Sequence, residues 1–252
     1  MTILVTNDDG IHAPGIVALY QELRHLGEVA VVAPESEQSA VGHAISLSSP
    51  LRVKQVALKG GGQGWAVSGT PADCVKIALA ELLPEPPVMV ISGINLGANV
   101  GINVLYSGTV SAATEGAILG VRALAVSLNT YKSPDFHEAA RLARELLAQL
   151  KEWSGWSPGV CLNVNLPALP RERIPGVKIT RQDTGQLVER FERRVDPREN
   201  VYYWLSAINE RGDLAPDTDY GALQGGFITI TPIRYDLTHY PSLESLKGLK
   251  WA

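Results

Sequence analysis

The amino-acid sequence predicts an α/β protein, a mostly parallel sheet with helices on both faces. Three observations carry that prediction. Short apolar runs of β-prone residues alternate with segments whose apolar residues recur at helical spacing, and the alternation holds from the amino terminus to about residue 153. The apolar runs are nearly unbroken, as strands buried on both faces must be. Polar, glycine-containing loops follow several of the runs, where a parallel sheet places its ligands.

The first run, Thr2 to Thr6, ends in Asn7-Asp8-Asp9-Gly10, and Pro14 opens a helix marked by Ile16, Leu19, Leu23 and Leu26. A second strand, Val29 to Val32, closes at Ala33-Pro34, and Glu35 to Ser49 reads as loop. Gly60-Gly61-Gly62 is a turn. Pro71 precedes a helical pattern through Cys74, Ile77, Ala78 and Leu82, and Val88 to Ile91 is a buried strand. Ser92 to Ser107 reads as a loop rich in Gly and Asn, followed by a helix of small residues from about Thr109 to Leu119 and a strand from Ala123 to Leu128. After an amphipathic helix from Phe136 to Trp153 the texture changes to short strands, Val160 to Val164 and Val177 to Thr180, among prolines. Charge-alternating segments between Gln186 and Ile208 flank Asp196-Pro197-Arg198-Glu199-Asn200 and predict a long hairpin whose aromatics, Tyr202, Tyr203 and Trp204, need a partner surface. A last strand, Phe227 to Pro232, leads to a tail ending near Trp251.

Composition narrows the function. Lysine and arginine number 22 against 26 acids, a net charge of −4 with no run of like charges, which argues against general nucleic-acid or anionic-membrane binding. Cys74 and Cys161 are too few for a disulfide framework and read as buried thiols of a cytosolic protein. The amino terminus lacks the features of a signal peptide, and no apolar stretch reaches membrane-spanning length, so a cytoplasmic location is expected. The motifs GxxxxGK[ST], GxGxxG after a strand, GxSxG and HExxH are all missing, and no two of the five histidines stand at chelating spacing.

Four strand-end loops carry the chemistry. Asp8 and Asp9 place two carboxylates on one turn, a donor set for Mg²⁺ or Mn²⁺; the same pair also suits a helix cap or an Asx turn. Ser92 to Gly101 combines closely spaced glycines with neutral amide oxygens, as a ligand loop or a structural turn would. Tyr106-Ser107-Gly108-Thr109 stands before a helix, where free N–H groups favour phosphate or where Ser simply caps. Pro34 to Gly42 adds hydroxyls after the second strand. No lysine or arginine lies within these loops, so carboxylates and phosphate can share the place only with a cation between them.

Together, NDDG at 7–10, APESEQSAVG at 33–42, SGTPADCV at 68–75, SGINLGANVG at 92–101 and YSGTVSAATEG at 106–116 closely resemble the SurE family of stationary-phase survival proteins. Asn163-Val164-Asn165-Leu166-Pro167 and the stretch from Thr218-Asp219-Tyr220 to Pro232 extend the resemblance over nearly the whole chain. It implies a Rossmann-like catalytic core over residues 1–180, with 181–252 supplying the hairpin, the last core strand and an oligomerisation tail. It also implies a metal-dependent 5'(3')-nucleotidase acting on nucleoside monophosphates and short polyphosphate. One divalent ion per subunit, Mg²⁺ or Mn²⁺, would be held by Asp8, Asp9, Ser39 and Asn95, and phosphate by Asn99, Ser107, Gly108 and Thr109. Asp8 and Asp9 would be catalytic, with Asp9 the general base for water; attack of an Asp carboxylate on phosphorus, through an aspartyl-phosphate, is the alternative route. Dimers or tetramers exchanging carboxyl-terminal elements are implied as well. His239, in Asp236-Leu237-Thr238-His239, is read as structural or interfacial because the spacing departs from several relatives. The rival expectation is a nucleotide- or phosphate-sensing protein that binds through the same loops without hydrolysis.

Overall fold

The structure, a computed structural model, describes residues 2–185, 188–208 and 214–250. Its main sheet has nine strands in the order β3-β4-β2-β1-β5-β6-β7-β11-β8. These are β1 (Thr2–Thr6), β2 (Glu28–Pro34), β3 (Val53–Ala57), β4 (Gln63–Val67), β5 (Met89–Leu96), β6 (Ala123–Asn129), β7 (Val160–Pro167), β8 (Val177–Ile179) and β11 (Ile228–Arg234). Strands β9 (Val188–Val195) and β10 (Val201–Ile208) form a separate antiparallel hairpin. Among the described residues the α-helices are α1 (Pro14–Leu23), α2 (Pro71–Ile77), α3 (Gly108–Ile118), α4 (Phe136–Lys151), α5 (Asp219–Gln224) and α6 (Tyr240–Lys247).

Strand alternation sorts the core into two layers. Ile3 and Val5 of β1 face α1 and α4 and pack with Leu19, Leu23, Ala143 and Leu147. Leu4 faces α2 and α3 and packs with Cys74, Val75, Ala112, Ala113 and Cys161. Both cysteines are therefore buried and free, as expected. The chain builds β1 and β2 in one direction across the sheet and returns to lay β5 on the other side of β1, pairing Thr6 with Ser92. The reversal lies at the carboxyl ends of β1 and β5, the place where open α/β sheets bind ligands. Close packing fixes these elements: a Cβ on Gly15 of α1 would lie 2.1 Å from the carbonyl oxygen of Ile94.

Several elements differ from the sequence expectation. Strands β3 and β4 form an antiparallel edge hairpin around the triple-glycine turn, in a region where only that turn is expected from sequence. Most of β3 is exposed, so no apolar alternation marks it. Strand β5 runs five residues past Ile91 into the expected Gly/Asn loop, with a bulge between Gly93 and Asn95, because β6 pairs it as far as Leu96. The helix expected through Leu82 is α2 followed by a π-helical turn over Ala78–Leu82. Helix α5 has no counterpart among the elements expected from sequence, and α6 falls within the expected tail; Thr218 caps α5 by accepting from the Gly221 amide. Strand β11 lies between β7 and β8, which joins the segment after residue 180 to the main sheet. The hairpin forms with its turn at the expected acidic residue, Asp196, whose carboxylate accepts the Arg198 and Asn200 amides. Its first two residues as read, Gln186 and Leu187, lie outside the described residues, as does Trp251 of the tail.

Candidate active site

The chain leaves β1 through a loop closed on itself, with the Asn7 side-chain amide donating to the Gly10 carbonyl at 2.9 Å. The Asp8 carbonyl accepts the Gln38 amide at 2.7 Å, and the Ile11 amide donates to the Pro34 carbonyl at 2.9 Å, so the loops after β1 and β2 are stitched together. Helix α1 begins after Ala13 with no side-chain cap. Neither acid is spent there. Asp8 is buried and turned toward α3, where its Oδ1 accepts the Thr109 hydroxyl and its carboxylate also takes the Thr109 amide. Glycine is required beside it: a Cβ on Gly108 would sit 2.7 Å from the Asp8 Cβ. The helix start named for phosphate and the acid named for metal are thus one contiguous site.

Charge in this site is not neutralised. Burial, then the charge of Asp8 and then that of Glu37, pushes the Asp9 carboxyl up to about 7. Burial raises Asp8 too, against the bonds from Thr109 and with Glu37 adding to the rise. Among the described residues no cationic side chain acts on either acid. Thr6 Oγ1, Asn7 Oδ1 and Ser92 Oγ lie buried at the same strand ends without a protein partner. Two charged and several neutral oxygens suit a hard divalent cation. Among the described residues no three His, Cys, Asp or Glu side chains converge as a metal group, which disfavours a zinc-type site.

The other predicted ligands are placed unevenly. Asn95 follows the β5 bulge, and its Nδ2 donates to the Gly97 carbonyl at 2.7 Å, which leaves Oδ1 as the free end. Ser39 is exposed, and its hydroxyl donates to Glu37 Oε1 at 2.5 Å rather than joining the acid pair. Ser107 caps α3 by accepting the Val110 amide at 3.1 Å, which leaves its hydroxyl proton available. Asn99 is buried, with Nδ2 donating to Ser127 Oγ at 2.9 Å. His239 bonds Ser242 at the start of α6, a local structural contact.

The loop carrying Ser39 is anchored beyond it. The Gly42 amide donates to the Tyr106 carbonyl, and the Gly42 carbonyl accepts the Ser111 hydroxyl. His43 and Lys76 both reach buried Glu115, at 2.7 and 2.8 Å, while Asp73 accepts the Ser46 and Thr70 amides. Sequence reasoning missed Glu115; a lone acid on a helix of small residues was the available signal. Asn163, Asn165 and Asp219, which hold the Asn99 loop, had shown themselves only as parts of recurring motifs.

The family model described as "Survival protein SurE" matches residues 3–189. The chain is 54% identical to a "5'-nucleotidase SurE" of Syntrophobacter fumaroxidans, covering 100% of this chain and 99% of that one. To the protein of the same description in Syntrophus aciditrophicus it is 52% identical, over 99% and 94% of the two chains. The crystal structure of the SurE protein from Aquifex aeolicus superposes with a TM-score of 0.86 at 38% identity, over 98% of each chain.

Proposed function

We infer that this chain, which belongs to the SurE family, is a metal-dependent phosphatase that hydrolyses nucleoside 5'-monophosphates to nucleoside and phosphate. The observation that carries the reading is the union of a buried and a half-buried carboxyl, neither facing a cationic partner among the described residues, with the amino terminus of α3 at the sheet's reversal point. A phosphate approaching the amino end of α3 meets a favourable dipole there, and it can lie beside Asp8 and Asp9 only if a cation separates them.

Asp8 and Asp9 would hold the ion, Mg²⁺ or Mn²⁺, with the Asn95 Oδ1 and, once turned from Glu37, the Ser39 hydroxyl. When bound, such an ion polarises the phosphoryl group and acidifies water. Asp8 is fixed by Thr109 and serves as the anchor. Asp9 is less buried and carries no such tether, so it is the group free to accept a proton from the attacking water. The Ser107 hydroxyl, the Gly108 and Thr109 end of α3 and the remaining Asn99 amide proton would hold the phosphoryl oxygens in line, where positioning supplies much of the rate.

No described helix is long and apolar enough to cross a membrane, and a cytoplasmic location accords with the two buried thiols. Self-association through the hairpin and tail would cover Tyr203 and Trp204, 60% and 57% exposed, and Leu237, 80% exposed. Release of nucleoside from AMP with Mn²⁺ or Mg²⁺, abolished by EDTA and restored by the metal, is the expected result. Nucleotide binding without turnover at saturating metal would instead make the protein a sensor.

A further inference from the structure

A buried polar row runs beneath the Asn99 loop. Ser127 of β6, Asn165 of β7 and Thr229 of β11 stand in register across three neighbouring strands, with Asn163 two residues earlier on the same face of β7. All four are fully buried, at positions where a central strand ordinarily carries Val, Ile or Leu. An amide in such a place is costly unless a partner takes both of its ends. Here the partner is loop backbone: Asn165 Oδ1 accepts the Asn99 amide at 2.8 Å, and its Nδ2 donates to the Asn99 carbonyl at 3.1 Å. Asn163 Nδ2 donates to that same carbonyl at 2.7 Å. Two residues on, Gly101 is gripped from the carboxyl-terminal segment, its N–H donating to Asp219 Oδ2 at 3.0 Å and its carbonyl accepting from Gln182 Nε2 at 2.8 Å.

We propose that Asn165, with Asn163 beside it, is a positioning residue of the phosphate site, pairing with the Asn99 backbone as a neighbouring strand would. The Asn99 side chain is then aimed from a fixed backbone. The turn over Gly101–Leu105 leads from this clamp to Ser107 and the start of α3, with the Ser107 amide donating to the Asn103 carbonyl at 3.1 Å. Loop backbone near a ligand otherwise moves freely, and a buried amide partner is an economical way to hold it. The inference rests on Asn99 and Ser107 contacting phosphate.

The test compares three variants of the full chain loaded with Mn²⁺. Asn165→Leu removes both bonds while keeping the branched four-atom skeleton of the side chain. Thr229→Val removes a buried polar atom from the same row that touches no part of the loop. Asn99→Ala tests the phosphate reading itself. The readouts are KM and kcat for AMP, the inhibition constant of inorganic phosphate, Mn²⁺ affinity by electron paramagnetic resonance, and thermal midpoint. For Asn165→Leu, KM and the phosphate inhibition constant rise together by about tenfold, roughly the worth of one or two lost hydrogen bonds. Its kcat falls by less, and its Mn²⁺ affinity stays within about threefold. Thr229→Val keeps wild-type kinetic constants. If Asn99→Ala weakens phosphate but folded Asn165→Leu does not, or if Asn165→Leu and Thr229→Val shift the constants alike, the clamp is overturned. Phosphate inhibition untouched in Asn99→Ala overturns the subsite reading instead. Should Asn165→Leu not fold, hydrogen exchange on the wild-type protein decides: Asn99 and Gly101 amides protected like those of β7 support the clamp, and loop-like exchange overturns it.

Discussion

Buried acids on the α2/α3 side of the sheet and buried acids at the tip of β1 are handled in opposite ways. Glu115 would be raised by burial, but the bonds from His43 and Lys76 outweigh it and hold the carboxyl below its usual range. Asp73 is likewise held low against its own burial by the Thr70 and Ser46 bonds. Asp8 and Asp9 are pushed up, mainly by burial, and their nearest charged neighbours are each other and Glu37. The first pair is met by donors within the fold, His43 and Lys76 on Glu115 and the Ser46 and Thr70 amides on Asp73, and ties a loop to two helices. The second has no such cationic partner among the described residues, so its raised carboxyls take a proton or a cation more readily, which makes it the candidate functional site.

The largest expected effect comes from removing one of the unbalanced charges. Asp9→Asn lowers AMP turnover by about a thousandfold at saturating Mn²⁺, through lost proton transfer and lost electrostatic stabilisation. The same variant raises the thermal midpoint of the metal-free protein, because a repelling carboxylate is gone; a lower midpoint in EDTA by calorimetry would break the comparison. Second, Mn²⁺ at about a hundredfold over its dissociation constant stabilises the wild-type protein by roughly 2.7 kcal/mol, a rise of roughly 5 to 10 °C for a chain of this size. Asp8→Asn loses most of that rise. Chelator then has little left to undo.

On the balanced side the sign reverses. Glu115→Gln destabilises by about 2 kcal/mol, the loss of charge-assisted hydrogen bonds to partly exposed partners, while Mn²⁺ affinity stays within about threefold. Because the Glu115 carboxyl is lowered in the fold, its contribution is complete above the ordinary glutamate value of about 4.3 and disappears as pH falls through the lowered one. Urea melts at neutral and strongly acidic pH therefore show the gap between wild type and Glu115→Gln closing in acid. The smallest effect on the core belongs to the hairpin. Replacing Tyr203 and Trp204 by Ser changes core stability by less than about 0.5 kcal/mol, yet shifts the mass seen by light scattering toward monomer.

Most of the parallel half of the fold was legible in the sequence because burial on both faces leaves nearly unbroken apolar runs, as in Leu4-Val5 or Ala123 to Leu128. The edge hairpin β3–β4 was not, since an exposed strand such as Val53–Ala57 carries no such pattern. Gly93 and Asn95 read as loop residues, and only pairing with β6 makes them strand. At the site, the acid pair and the start of α3 could each be found from local motifs, but their direct contact joins residues 101 positions apart. The same limit hid the Asn165 clamp, whose two ends are 66 residues apart. Ser39 shows a different gap: its place in a motif named it as a ligand, and local bonding to Glu37 turns its hydroxyl elsewhere.

Whether the β1 tip exists to hold a cation is tested most directly by anomalous diffraction at the manganese edge from crystals soaked in Mn²⁺. One strong peak per chain is expected between the Asp8 and Asp9 carboxylates, within reach of Asn95 Oδ1. A peak elsewhere, with both carboxylates placed as described above, would contradict a cation site at the β1 tip.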